Sequence, residues 1–499
     1  MTEQMARDPV APADARDGGA GAGARALLGA QGTRALLQVV SVTVLSRLLA
    51  PADFGLFAVV AAVLAIAGAL GDLGLSVAAI RERSLTREQW TALFWINVAV
   101  GAALTGLLLA LSPLLADLGG HPLLRVLLVA AAPVFLLNGV SIQYRVELAR
   151  RARFGALAVV ETVAPAVGLA VGVAWALVGP GPWALVAQQV VGPLVLAVLA
   201  AAVVRRAPGL PRRRPGVRRL VRLGGIATVG SILNAISVNL APLMLGRTWP
   251  AGTVGAFSRA SQLSLLVHNN LAAPLTRVIV PSLARAHGTD LFAVRFRKAL
   301  LGNGFSVGLL TAFVGGLAEA VVAVALGPQW VAEAPPVLAV LSIGLLLHTV
   351  SYVAYWAVLA AGDARRLLWC DAPGQLVAIA GIVLAAPWGP VAVSWAIVAG
   401  SAVRVASYVA YGMPAVGISP AASLRSSVPI VALCAAVFAG CRFLDATSPA
   451  SPFVLLALGL GWTLVAGAVH FSLARSTRRD LRDVWRLGRA IVGLRRVPA

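Results

Sequence analysis

Four polar side chains, Gln31, Arg34, Gln38 and Ser41, recur at intervals of three and four residues inside an otherwise apolar stretch. On an α-helix that spacing puts them on one face. A lone ionisable group in hydrocarbon costs at least about 2.5 to 3.5 kcal/mol, so a polar stripe in an apolar helix needs water or a polar ligand. A shorter stripe, Ser231, Asn234 and Ser237, has the same character, as does the set Arg259, Gln262, Asn269 and Asn270 with His268 nearby. Together these residues describe one wet cavity lined from two distant parts of the chain.

The sign of the charge narrows what passes through it. Arg34 lies in the cytoplasmic half of its helix, while Arg47, Arg247 and Arg259 lie toward the outer side, which makes a relay of guanidinium groups across the membrane. Arginine presents a planar, permanently charged fork that suits phosphate oxygens, so the passenger is anionic, a phosphate or pyrophosphate. The expected substrate-binding residues are Arg34, Arg259, Gln31, Gln38, Asn234, Gln262, Arg47 and Arg247, although Arg47 and Arg247 are also placed to snorkel to the interface. Acidic candidates are fewer: Glu161, Asp371, Glu319 and Asp72. In a low-dielectric cavity Glu161 and Asp371 either carry a proton or a coupling cation, or neutralise a neighbouring arginine, as Asp371 with Arg366. Asp72 reads as an ion pair with Arg81.

These residues must be positioned by membrane-spanning helices. Of the 499 residues, 59% are apolar and 12% charged, with a mean hydropathy of +0.87. Soluble domains average roughly half apolar and a quarter charged, which excludes an ordinary water-soluble fold. Apolar blocks of about 20 residues are long enough to span a bilayer. They fall near 27–49, 54–79, 89–114, 123–143, 155–178, 182–204, 221–245, 253–284, 298–326, 335–361, 366–387, 389–412, 424–441 and 452–474. The fold expected is an all-α polytopic membrane protein of about 14 transmembrane helices.

Arginine-rich loops alternate with arginine-poor ones. Basic residues cluster after the even-numbered helices, as at Arg145, Arg150, Arg151 and Arg153, whereas Arg247 and Arg442 are the clear cases after odd-numbered ones. Under the positive-inside rule both termini are cytoplasmic. The formal charge of +22 therefore reflects loops on a membrane surface and not nucleic-acid binding. At an offset of 200, Arg47, Gly55 and Phe57 match Arg247, Gly255 and Phe257, and the longest basic loop, residues 205–222, lies where two six-helix halves join. Parallel repeats with a site between them are a known transporter plan. The expected division is a disordered cytoplasmic tail (1–25), a six-helix lobe (26–204), a basic linker (205–220), a second six-helix lobe (221–412), two further helices (413–474) and a basic tail (475–499). Prolines 133, 165, 193, 242, 274 and 373 fall inside helices and invite kinks.

Enzyme signatures are absent: the chain holds no GxxxxGK[ST], HExxH or GxSxG, its five histidines lack ligand spacing, and no long loop carries clustered carboxylates. Cys370, Cys434 and Cys441 sit in apolar stretches without CxxC spacing. Neither catalysis nor a cofactor or metal is expected, and the partners are membrane lipids and an anionic cargo.

The segments RLLAPADFGLFAVV (47–60), LGDLGLSVAAIRERSLTREQ (70–89) and LFWINVAVG (93–101) strongly resemble the N-terminal signature of bacterial polysaccharide biosynthesis transporters. These are the O-antigen, exopolysaccharide and teichuronic-acid type flippases of the multidrug/oligosaccharidyl-lipid/polysaccharide exporter superfamily. LGRTWPAGTVGAFSRASQL (245–263) is similar to the second-half counterpart, and hydropathy agrees from about residue 26 to 474. The resemblance implies two six-helix lobes in a V with two added C-terminal helices, and a cationic cavity onto which Arg34 and Arg259 map by location. It implies transport of undecaprenyl-pyrophosphate-linked oligosaccharide from the inner to the outer leaflet of the bacterial cytoplasmic membrane by alternating access, with a polysaccharide polymerase or glycosyltransferases as possible partners. A drug/cation antiporter of the same superfamily and a non-transporting scaffold for envelope glycan synthesis are the competing readings.

Overall fold

The computed structural model describes residues 17–71, 86–179, 181–209 and 218–473. Asp72, Arg81, the Arg212–Arg214 run and the basic tail from residue 474 lie outside the described residues. Those described form helices α1 (Asp17–Leu48), α2 (Pro51–Gly71), α3 (Arg87–Leu118), α4 (Leu123–Ala131), α5 (Pro133–Arg150), α6 (Phe154–Val178) and α7 (Trp183–Val204). A second series follows: α8 (Arg218–Thr248), α9 (Ala251–Ala284), α10 (Leu291–Asn303), α11 (Leu309–Gly316), α12 (Ala318–Ala325), α13 (Ala334–Ala360), α14 (Ala364–Ala385) and α15 (Pro390–Ser407). Helices α16 (Pro420–Thr447) and α17 (Pro452–Leu473) complete it. The described residues contain no strand, and the chain is an all-α polytopic membrane protein.

Eleven spans among the described residues are long and apolar enough to cross a membrane, and α9, bent by 45° where Pro274 interrupts it, makes a twelfth. Helices α4 and α5 form one such span, broken at Pro133, where the proline lacks the amide needed to continue the ladder. Apart from the short α12, the helices outside this set are α1 and α8, which occupy the first position of each series and carry the polar residues Gln31, Arg34 and Gln38, and Asn234 and Asn239. Their lower hydropathy is the price of lining a polar space. Helix α1 starts at Asp17, ahead of residue 26, although four of the nine residues in 17–25 are glycines of low helix propensity. Helix starts follow local chemistry: Thr86 and Gln89 close a capping box at 3.1 Å in both directions ahead of α3, and Asp363 and Ser419 cap α14 and α16.

The two series repeat one packing plan. Helix α1 packs on α6, α6 on α7 and α3 on α5; in the second series α8 packs on α14, α14 on α15 and α11 on α13. Helices α16 and α17 attach to the second series through α11 and α12. The series meet where α2 crosses α9. A Cβ on Gly55 would lie 1.7 Å from the Ala251 carbonyl oxygen, and one on Gly255 would lie 2.0 Å from the Pro51 carbonyl oxygen. Positions 51 and 251, like 55 and 255, are 200 apart, so the contact is reciprocal about a local two-fold and carries the sequence offset into space. Only glycine permits this approach.

Candidate substrate pathway

In the first series, the polar face of α1 meets α6. The Arg34 guanidinium donates to the Glu161 carboxylate, and Arg145 of α5 approaches the same carboxylate at 3.9 Å. None of the three is sealed: their side chains are 37%, 24% and 35% exposed for Arg34, Glu161 and Arg145. The Nε groups of both arginines are nonetheless buried and without a hydrogen-bond partner. One carboxylate thus faces two guanidinium groups, leaving an excess of positive charge and two unused donors. Arg145 also lines a cavity of about 320 Å³ between α2, α3 and α5, with Asn97, Asn138 and four glycine walls. Further along the stripe, Ser41 accepts from Gln188 of α7 at 3.0 Å. Gln31, with its amide oxygen turned to Arg277 of α9, accepts at 2.9 and 3.2 Å and so bridges the two series. Gln38 is half-buried, and Asn234 on α8 is exposed.

The second series holds its own charged cluster. Asp371 on α14 faces Arg404 of α15 and the Tyr408 hydroxyl, while Arg366 instead pairs with Asp363 at 3.5 Å. Proximity in sequence favours an Asp371–Arg366 pair, but Asp363, three residues before Arg366, is nearer on the helix and also caps its backbone amide. Arg404 contacts His348 Nδ1, whose ring lies 4.6 Å from that of His268, and both histidines pack on Tyr352. Glu161 and Asp371 each sit seven positions past the first residue of the fifth membrane-spanning unit of their series, so the two acids occupy matching depths.

At the opposite end of the bundle the two series are fastened together. Arg47 Nη2 donates to the Val324 carbonyl at 2.7 Å, and Gln329 Nε2 and Trp330 Nε1 donate to the Ser46 carbonyl at 2.6 and 2.9 Å. Trp330 is fully buried and meets Phe54 edge-on at 5.4 Å. Arg259 is 8% exposed, donates to Gln262 Oε1 at 2.6 Å and lies 3.8 Å above the Phe54 ring, a desolvated cation–π contact. Arg259 is thus buried and Arg47 hydrogen-bonded though exposed at this end, and Arg247 is exposed as well.

The family described as "Polysaccharide biosynthesis protein" matches residues 44–335, more than half of the chain. The chain belongs to that family. The lipopolysaccharide biosynthesis protein WzxC of Escherichia coli (strain K12) is 28% identical over 267 residues, 53% of this chain and 54% of that protein. The succinoglycan biosynthesis transport protein ExoT of Rhizobium meliloti (strain 1021) is 27% identical over 340 residues, 67% of each. The matched region therefore spans about half of the first relative and two thirds of the second. Among solved structures, the lipid II flippase MurJ in an inward closed conformation superposes with a TM-score of 0.72 over 89% of this chain and 98% of that one, at 11% identity. An inward-facing multidrug resistance MATE transporter of the MOP superfamily superposes at 0.58 with 15% identity, over 81% of this chain and 95% of that one. The fold is that of this superfamily.

Two residues of the polar network, Arg145 and Arg404, are not singled out by the sequence. Arg145 reads as one of a cytoplasmic loop cluster with Arg150, Arg151 and Arg153, because the apolar block ends at about 143; the helix instead continues to Arg150 and turns Arg145 inward. Arg404 is a single guanidinium within an apolar helix, the same signal that marks Arg34, and that signal is sufficient to find it.

Proposed function

We propose that this protein translocates a lipid-linked oligosaccharide from the inner to the outer leaflet of the bacterial cytoplasmic membrane, by opening its two six-helix series alternately to either side. The observation that carries this reading is the excess of guanidinium over carboxylate on the accessible face of α1, where Arg34 and Arg145 share Glu161. A drug/cation antiporter calls for the reverse balance. A diphosphate headgroup takes its place against Arg34 and Arg145, with Gln31 and Gln38 beside it, while the lipid tail stays in the bilayer. Arg47 and Arg259 receive it in the opposite state, when separation of α2 from α9 releases them from Val324 and Phe54. The family, the relatives that serve lipopolysaccharide and succinoglycan synthesis, and the flippase-like fold all support this route. In this orientation the Arg47 end faces outward and the Gln31 end faces the cytoplasm, in line with the arginine-rich loops.

Neutralising Arg34 or Arg259 to Gln tests it. Each variant is expected to reach the membrane in normal amount, to lose most surface or secreted polysaccharide, and to accumulate lipid-linked repeat units that cannot be labelled from outside the cell. Undiminished polysaccharide in both variants would exclude the flippase and favour a scaffold.

A further inference from the structure

The carboxylate of Glu161 sits where an anionic ligand of Arg34 and Arg145 would sit. Two features set this cluster apart from an ordinary helix-packing ion pair. It is unbalanced, with two guanidinium groups on one carboxylate, and the buried Nε of each arginine has no acceptor. A pair built only to join α1 to α6 would satisfy its donors, since an unmade buried hydrogen bond costs about 1 to 3 kcal/mol. It is also accessible, each side chain being between about a quarter and two fifths exposed, so that water and solute reach it. The three residues come from three helices, α1, α5 and α6, and the third of these is also gripped by α7 through glycine contacts at Gly168 and Gly172, which fixes the depth of Glu161. A diphosphate offers what the cluster lacks: several oxygens in place of two, and at least two negative charges for two guanidinium groups.

We propose that Glu161 is a resident counter-anion that competes with the diphosphate of the cargo for Arg34 and Arg145. This rests on the flippase reading above and adds a role to a residue that takes no part in holding the cargo. In the empty protein Glu161 keeps the two guanidinium groups partly neutralised and positioned. When the headgroup arrives it takes over the contacts of Arg34, including the unused Nε donors, and Glu161 is displaced. On the far side the carboxylate returns and expels the headgroup, so the pair sets release as much as capture. Removing the competitor therefore tightens binding and slows turnover, the opposite of what loss of a binding residue does.

The experiment uses the purified full-length protein in lipid nanodiscs. Inorganic pyrophosphate and a polyprenyl diphosphate are titrated separately against wild type, Glu161→Gln, Glu161→Asp, Arg34→Gln and the double variant Arg34→Gln/Glu161→Gln, with thermal unfolding followed for each. Glu161→Gln is expected to bind both probes about tenfold more tightly, the effect of about 1.4 kcal/mol. Glu161→Asp, which keeps the charge but shortens its reach, should gain less. Arg34→Gln should weaken both probes, and the double variant should show less of the gain than Glu161→Gln alone, because Arg145 is then the one guanidinium left for Glu161 to occupy. Transport of lipid-linked glycan by Glu161→Gln should fall while its affinity rises. If neither Glu161 variant binds more tightly than wild type while Arg34→Gln still weakens binding and transport, the competition is overturned and the flippase reading stands. A gain confined to inorganic pyrophosphate overturns the assignment to a lipid headgroup. Unchanged transport in Arg34→Gln overturns the flippase reading itself.

Discussion

Charged side chains on the membrane helices divide into those that hold the fold and those left available for cargo, and the satisfaction of their hydrogen bonds separates the two. Glu147 is of the first kind. It is 6% exposed, pairs with Arg151 at 2.6 Å and with Arg206 at 3.2 Å, and Arg206 in turn covers the Trp90 ring at 4.7 Å. Trp90 packs on Phe94 and Tyr144, and neighbouring Trp95 donates to the Gly209 carbonyl at 2.8 Å. The start of the chain between the two series, residues 205–209, is therefore strapped to α3 and α5. Glu147→Ala strands two partly exposed arginines, so we expect a loss of about 1 to 2 kcal/mol, less than the cost of breaking a fully buried pair. A lower unfolding temperature, together with faster tryptic cleavage after Arg205 or Arg206, checks it; wild-type resistance to trypsin in the variant contradicts the strap. Arg34, with its incomplete donors, is of the second kind. From sequence the two kinds look alike, because Glu147 and Arg34 are each a charged residue with apolar neighbours; the difference lies in partners more than 50 residues away.

At the scale of elements, the crossing of α2 and α9 depends on two missing side chains. Since a Cβ at Gly55 would lie 1.7 Å from a backbone oxygen, Gly55→Ala must push the helices apart, and no side-chain rotation relieves a clash with a carbonyl. We expect Gly55→Ala and Gly255→Ala each to cost about 1 to 3 kcal/mol, and to weaken the Arg47–Val324 and Trp330–Ser46 bonds that depend on the same approach. Gly252, one turn away with open space around it, is the control, and its alanine variant should unfold with wild type. Equal stability of all three would refute the close approach. These elements are also where the sequence speaks most clearly. Apolar length locates the spans and the 200-residue offset marks Gly55 and Gly255 as equivalent positions, but their close approach appears only in the structure. The α12 segment and the Pro328–Trp330 turn are not legible in that way. Hydropathy merges α12 into the end of the 298–326 span and leaves Pro328–Trp330 between spans, and a fold back onto Ser46 is a long-range contact with no local signature.

Across the whole molecule, the described residues fasten the two series unequally at the two ends, and this asymmetry bears on which way it opens. At the Arg47 end, three hydrogen bonds, the Phe54–Trp330–Arg259 stack and the glycine crossing hold the series together. At the Gln31 end, the described residues show one polar bridge between the series, from the exposed Arg277 to the half-buried Gln31. An exposed hydrogen bond to a charged group contributes on the order of 1 kcal/mol, and a two-state equilibrium shifts about tenfold for each 1.4 kcal/mol. Weakening one end should therefore favour opening there, and weakening the other should do the reverse. The three native cysteines, Cys370, Cys434 and Cys441, are all buried, so a cysteine placed at Gln38 on the polar face of α1 can be followed in an otherwise unreactive background. With Gln38→Cys as the reporter, Gln31→Ala should raise labelling by a membrane-impermeant thiol reagent several-fold in inside-out vesicles. Trp330→Ala with Arg47→Ala should raise it instead in right-side-out vesicles, because that end then parts. Labelling that rises from the same side in both variants would mean that the two ends are not alternatives of one equilibrium, and labelling unchanged in both would mean a rigid bundle in place of a transporter that opens to each leaflet in turn.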